Sequence, residues 1–303
     1  MGEQVERQHV LGVHGIWQGR TSRRELTKDW TEALERGVGG LLRGTADAPG
    51  GSPAVPAVEV PHWTALLAQK SDSLSGADLV PTDLTPFTTE EEAFVSQALD
   101  DLLTSEERAY AAQTDPTTLG LPKLWPASVT RLAMAYDRRK PCGAVAKLIG
   151  ALREVHLYLT QSDLAARVRA HVSEAASERT SVLIGHSLGS VIAYDLIRRA
   201  EIAAPGATGT ALHTFVTCGS PLAIPTVRRG LAVPDGEAMA LPPHIRWVNV
   251  FDPGDVITGG AGLTAAAPTV IDVQVDNGRI DPHAATRYLR TVPVAQAVTG
   301  TWT

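Results

Sequence analysis

The segment Ser181-Val182-Leu183-Ile184-Gly185-His186-Ser187-Leu188-Gly189-Ser190 constrains this chain more than any other. An apolar, strand-like run ends at Gly185, and Val191-Ile192-Ala193-Tyr194-Asp195-Leu196-Ile197 starts a helix-like run a few residues later. Between them Gly185-x-Ser187-x-Gly189 has the form of a sharp strand-to-helix turn that lifts one serine clear of the backbone. The turn is strained, and glycines two residues before and two after the serine leave room for it.

The rest of the chain supplies the matching frame. Gln8 to Gly15 reads as a short buried strand ending in a glycine turn. Leu26, Trp30 and Leu34 recur at helical spacing after it, and Val55 to Val60 forms a second strand closed by Pro61. From about 64 to 160 no clear strand is found. Ser71 to Thr89 is polar and carries Gly76, Pro81 and Pro86, Glu90 to Ala112 is helical, and Val145 to Leu159 is helical again. This stretch reads as a helical, cap-like insertion in one domain spanning residues 1–303. Alternation then resumes with a helix over Leu164–Ser177, the elbow strand and its helix, and strands at Leu212–Thr217, Ile245–Phe251 and Thr269–Val275, the last suited to an edge. Strands alternating with helices predict an α/β fold with a mainly parallel sheet.

Bulk properties exclude several classes. Of 303 residues 44% are hydrophobic, enough for a sizeable core, and the net charge of −6 comes with no basic stripe of the kind nucleic-acid binding needs. No apolar stretch approaches a membrane span, so no integral membrane association is expected. The first residues, Met1 to Arg7, lack the pattern of a secretory signal. Two cysteines, Cys142 and Cys218, cannot form a disulfide framework, and a cytoplasmic setting fits them better. They offer no zinc site, and no glycine-rich phosphate loop follows a strand, so neither a metal nor an organic cofactor is expected.

A serine hydroxyl is a poor nucleophile unless a histidine takes its proton and a carboxylate orients that histidine. In an open α/β sheet these groups gather at the carboxyl ends of strands. Two aspartates, Asp252 and Asp255, follow the Ile245–Phe251 strand, and His283 follows the last one. His62, also after a strand, is the one rival base. The oxyanion needs backbone N–H donors already in place. Leu188, after the serine, supplies one, and the His14-Gly15-Ile16-Trp17 loop supplies the other, with Ile16 preferred over Gly15. Trp17, His14 and Leu222 are the candidates for a substrate-facing wall, with plain structural packing as the competing reading of each. Trp63, Phe94 and Trp125 read as a roof over the substrate or as the insertion's own core.

Taken in order, an early strand-His-Gly, Gly-His-Ser-Leu-Gly in the middle, Gly219-Ser220-Pro221, an Asp-Val pair and a late histidine resemble the α/β-hydrolase superfamily, in its lipase and esterase branch. The resemblance runs from His9 to about Leu289, apart from the insertion. It implies an α/β-hydrolase fold lacking the first two strands, because too few residues precede His9. It implies a triad of Ser187, Asp255 and His283, since Asp255-Val256 matches the branch's acid better than the alternative acid, Asp252, does. The implied activity is hydrolysis of a carboxylic ester with a lipid-like or apolar acyl group. A thioesterase, a cyclase or an acyltransferase on a carrier-bound acyl chain would use the same residues. A peptidase of this fold and a non-catalytic binding protein of this fold are the rival readings, and the sequence does not report the oligomeric state.

Overall fold

A computed structural model describes residues 9–16, 21–44, 55–68, 86–115, 125–138, 144–202, 212–234 and 236–301. In chain order the described elements are β1 (His9–Val13), α1 (Arg23–Gly44), β2 (Ala57–Glu59), α2 (Ala65–Ala68), α3 (Thr89–Asp101), α4 (Ser105–Gln113), α5 (Ala127–Asp137), α6 (Ala144–Thr160), α7 (Ser162–Ser173), β3 (Thr180–His186), α8 (Leu188–Arg198), β4 (Thr214–Cys218), α9 (Pro225–Gly230), β5 (Arg246–Phe251), β6 (Ile271–Gln274), α10 (Ala285–Leu289) and α11 (Val292–Thr299).

The six strands form one sheet in the order β2-β1-β3-β4-β5-β6, and every neighbouring pair is parallel. β3 is buried along its whole length, as expected of a central strand covered on both faces. Its side chains alternate. Val182 and Ile184 join Val10, Val216 and Val248 on one face, under Leu26, Trp30 and Leu34 of α1 and Val294 and Val298 of α11. Leu183 joins Leu11, Phe215 and Trp247 on the other, under Val191, Ile192 and Tyr194 of α8. Each such side chain, fully withdrawn from water, stabilises the fold by about 1.5–3 kcal/mol. The short edge strand β6 coincides with the alternating stretch the sequence marks as an edge.

Between β2 and β3 the described elements are all helices. They share one core with the α8 face of the sheet: Val95 and Leu99 of α3, Val129 of α5 and Leu148, Ile149 and Leu152 of α6 belong to the same buried cluster as Leu183 and Phe215. Trp63 is fully buried in that cluster, and Phe94 and Trp125 pack against it half-buried. Two polar ties reinforce the packing. Arg153 of α6 donates to Glu91 of α3 at 2.7 and 3.0 Å, and Asp101 of α3 accepts the backbone N–H of Thr226 in α9 at 2.7 Å.

The single helix expected over Glu90–Ala112 is two. Thr104 closes a reciprocal cap with Glu107, each side chain bonding the other's backbone N–H, and this starts α4 afresh after α3 has ended. Of the expected loop at Ser71–Thr89, residues 71–85 lie outside the described residues. Among the described residues no helix is long and apolar enough to cross a membrane.

Candidate active site

From β1 the chain moves to β2 on one side, then returns to place β3 on the other. This reversal makes a crevice at the carboxyl ends of β1 and β3, the position where open α/β sheets take their ligands. Two loops meet there: His14-Gly15-Ile16 after β1 and Ser187 after β3.

Ser187 has φ 55° and ψ −130°, a backbone conformation that L-residues adopt at a cost of about 1–3 kcal/mol. Its surroundings hold it there. The Ser187 N–H donates to the Cys218 carbonyl at 3.0 Å, extending the β3–β4 pairing by one residue. Its own carbonyl accepts the Ser190 N–H at 2.9 Å and the Ser190 hydroxyl at 2.5 Å, and Ser190 Oγ also lies 2.7 Å from Ser220 Oγ. The flanking glycines are required by space. A Cβ on Gly185 would lie 2.5 Å from Ser190 Cα, and one on Gly189 1.9 Å from the Val13 carbonyl oxygen.

Ser187 and His283 line one cavity of about 380 Å3. His283 Nδ1 lies 2.8 Å from Asp255 Oδ2. An ionised carboxylate only accepts, so Nδ1 carries the proton, and in the neutral ring Nε2 is left with its lone pair. Asp255 is fully buried, and its other donors are the Tyr288 hydroxyl on Oδ2 at 2.7 Å and the Ile257 N–H on Oδ1 at 3.0 Å. Burial opposes its ionisation, but the His283 imidazole facing it and these hydrogen bonds outweigh burial and hold the carboxyl below its ordinary range. Gly219, at φ 56°, lets the chain pass close by: a Cβ there would stand 2.9 Å from Asp255 Oδ2 and 3.2 Å from His283 Nδ1.

Asp252 is engaged elsewhere. Its carboxylate accepts the backbone N–H groups of Gly254 and Asn277. Asn277 in turn donates its side-chain amide to the Pro282 carbonyl at 2.9 Å, so Asp252 braces the loop that presents His283.

The oxyanion candidates stand on both sides of Ser187. Leu188 is the first residue of α8, and an N–H there has no acceptor within the helix. Ile16 is buried and lines the cavity, and a Cβ on Gly15 would lie 2.7 Å from Ser187 Cβ, so this loop runs against the nucleophile candidate.

The proposed wall residues fare differently. Trp17 lies outside the described residues. His14 and Leu222 are buried and are not among the described residues lining this cavity. The His14 ring stacks on Trp63 with centroids 5.2 Å apart, its Nδ1–H donates to the Gly15 carbonyl at 2.6 Å, and burial lowers its pKa to about 4. Leu222 sits in a short 3₁₀ turn whose N–H is capped by Ser220. His62 packs against the His14 ring at 5.5 Å and is likewise absent from the described cavity lining. The cavity wall comes instead from Leu26, Asp29 and Trp30 of α1, from His186 and from Ala284, Ala285 and Thr286, with Lys147 and Asp281 paired at 3.2 Å at its rim.

Sequence reasoning gives no role to Tyr288, whose hydroxyl donates to Asp255, or to His186. The His186 ring is buried, its Nε2 lies 2.7 Å from the His283 carbonyl oxygen, and the two imidazole centroids are 4.7 Å apart. Burial, with the His283 imidazole beside it, lowers its pKa to about 3. Cys218 is a buried free thiol whose pKa burial raises, which makes it inert. Among the described residues no group of three or more His, Cys, Asp or Glu is placed to hold a metal. Compared with models of known protein families the sequence matches none, and compared with curated proteins it has no significant relative.

Proposed function

We propose that this protein is a serine hydrolase of the α/β-hydrolase type that cleaves a carboxylic ester through an acyl-enzyme. One observation carries the reading: Ser187, strained at a strand-to-helix turn, shares a cavity with His283, whose Nδ1 is bound to buried Asp255. Positive φ at a non-glycine residue is costly, and it recurs where a side chain must be presented to a ligand.

Ser187 Oγ attacks the acyl carbon while His283 Nε2 takes its proton. The developing oxyanion is met by the Leu188 and Ile16 N–H groups, each such donor contributing about 3–4 kcal/mol in the transition state. The tetrahedral centre collapses, the C–O bond to the leaving group breaks, and His283 returns the proton to the departing alkoxide. Water then attacks the acyl-enzyme with His283 again as base, releasing the acid and restoring Ser187. Asp255 keeps the imidazole in the Nδ1–H tautomer and balances its charge in both half-reactions. Leu26, Trp30, Ile16, Ala284 and Ala285 give the cavity an apolar wall, which suits an apolar acyl group.

Turnover of p-nitrophenyl esters of rising chain length tests this, with Ser187→Ala and His283→Ala alongside. The expected result is hydrolysis by the wild type with an optimum chain length set by the cavity, and loss of at least about a thousandfold in both variants. A folded wild type that turns over no ester of the series contradicts it and favours a ligand-binding protein of the same fold.

A further inference from the structure

We propose that His186 is a positioning residue for His283: its Nε2–H donates to the His283 main-chain carbonyl and its ring backs the His283 imidazole, so a side chain on the residue bonded to Ser187 sets where the base stands. The inference rests on the role given to His283 in the preceding subsection.

A carbonyl oxygen only accepts, so the 2.7 Å contact from His186 Nε2 requires the proton on that nitrogen. Burial keeps the ring uncharged, so His186 has the Nε2–H tautomer and its Nδ1 carries a lone pair. His283 has the opposite tautomer, with Nδ1–H on Asp255. The two rings lie with centroids 4.7 Å apart and planes inclined at 37°.

His283 needs such an anchor because it stands in a loop between β6 and α10, outside any strand ladder. The loop is tied by Asn277, itself held by Asp252, to the Pro282 carbonyl at 2.9 Å, by the Ala284 N–H to the Asp281 carbonyl at 3.1 Å, and by the exposed pair Lys147–Asp281 at 3.2 Å, which is screened by solvent and contributes little; none of these reaches the His283 carbonyl. Asp255 fixes the imidazole at one nitrogen, which leaves the ring free to pivot with its main chain. His186 fixes that main chain at the carbonyl of His283 itself. The two anchors together define the position of Nε2. The reference point is also the right one, because His186 is the last residue of β3 and is joined by one peptide bond to Ser187. Misplacement of a reacting group by about 1 Å can cost on the order of 100-fold in rate.

The test compares wild type, His186→Phe and His186→Gln. Phenylalanine keeps a flat ring without a donor, and glutamine restores an N–H donor without the ring. The rate of covalent labelling of Ser187 by a fluorophosphonate, and kcat and KM on a p-nitrophenyl ester, are measured on proteins shown to be folded by near-ultraviolet circular dichroism. We expect His186→Phe to lower the labelling rate and kcat by about 10–100-fold with KM changed less than about threefold, and His186→Gln to recover most of the loss. Nitrogen-15 NMR of the wild-type imidazoles is expected to place the His186 proton on Nε2, and this reading stands even if the phenylalanine variant does not fold. A folded His186→Phe that labels at the wild-type rate, two variants slowed equally, or a His186 protonated on Nδ1 overturns the proposal. Failure of Ser187 to label in the wild type overturns the hydrolase reading instead.

Discussion

A Cβ placed on Gly189 would lie 1.9 Å from the carbonyl oxygen of Val13 and 2.6 Å from that of His14. The first turn of α8 is therefore pressed onto the end of β1, and this contact brings the Ser187 turn and the His14–Ile16 loop together. Backbone cannot yield as a side-chain tip does, so Gly189→Ala is expected to cost more than about 4 kcal/mol or to prevent folding. Gly236→Ala is the comparison. Its φ is 85° but a Cβ there meets nothing within 4 Å, so it should cost only the backbone strain, about 1–2 kcal/mol. Urea midpoints of the two variants check the difference.

The strain at Ser187 gives a prediction of opposite sign. Glycine normally destabilises an ordered position relative to alanine by about 0.5–1 kcal/mol. At φ 55° and ψ −130° it relieves the strain instead. Ser187→Gly is expected to be at least as stable as Ser187→Ala in thermal unfolding, with both inactive. An alanine variant more stable than the glycine variant by the usual margin would show that the turn stores no strain.

The two aspartates after β5 separate by experiment as they do by geometry. Asp255→Asn removes the charge facing His283 and disturbs its tautomer, and is expected to lower kcat by about a thousandfold to ten-thousandfold. Asp252→Asn leaves one oxygen to serve two backbone N–H groups, so it should cost about 1–3 kcal/mol of stability while kcat stays within about tenfold. Steady-state kinetics and urea unfolding of the same two proteins decide it. Equal loss of kcat in both would return the acid role to open choice.

Acid should destabilise the protein early. Burial lowers His186 from the ordinary 6.5 to about 3 and His14 to about 4. As pH falls below 6.5 the unfolded chain takes up these protons and the folded chain does not, so stability falls with pH until the folded-state values are reached. By about pH 4.5 each buried ring costs roughly 2–3 kcal/mol. Asp255 adds to the loss at still lower pH, where its depressed carboxyl finally protonates. Urea unfolding at about pH 7.5 and about pH 4.5 should show this drop, and a smaller one in His186→Gln, which has one such ring fewer. An unchanged drop in that variant contradicts the assignment of His186 as a buried neutral group.

The strand, the turn and the helix around Ser187 were legible in the sequence because their signals are local: an apolar run, two spaced glycines and a helical period. The order of the strands that precede Asp255 and His283 was legible for the same reason. Spacing alone leaves Asp255 and Asp252 level, since both follow β5; the Asp-Val resemblance favours Asp255, and the hydrogen-bond partners of the two carboxylates differ in the same sense. Tyr288 was unreadable because its value lies in reaching back to Asp255 across 33 positions. Leu26 and Trp30 were readable as a helix face but not as a cavity wall, which depends on where α1 lies against the loop before α10. One missed signal was present in the letters: Thr104-x-x-Glu107 is a capping box, and it marks the break between α3 and α4.

The central claim is that Ser187 is an activated nucleophile, and fluorophosphonate labelling followed by peptide mapping tests it most directly. A single modified residue, Ser187, is expected in the wild type, with labelling abolished in Ser187→Ala and slowed by at least about a thousandfold in His283→Ala. A folded wild type that stays unlabelled, or that is labelled elsewhere, contradicts it.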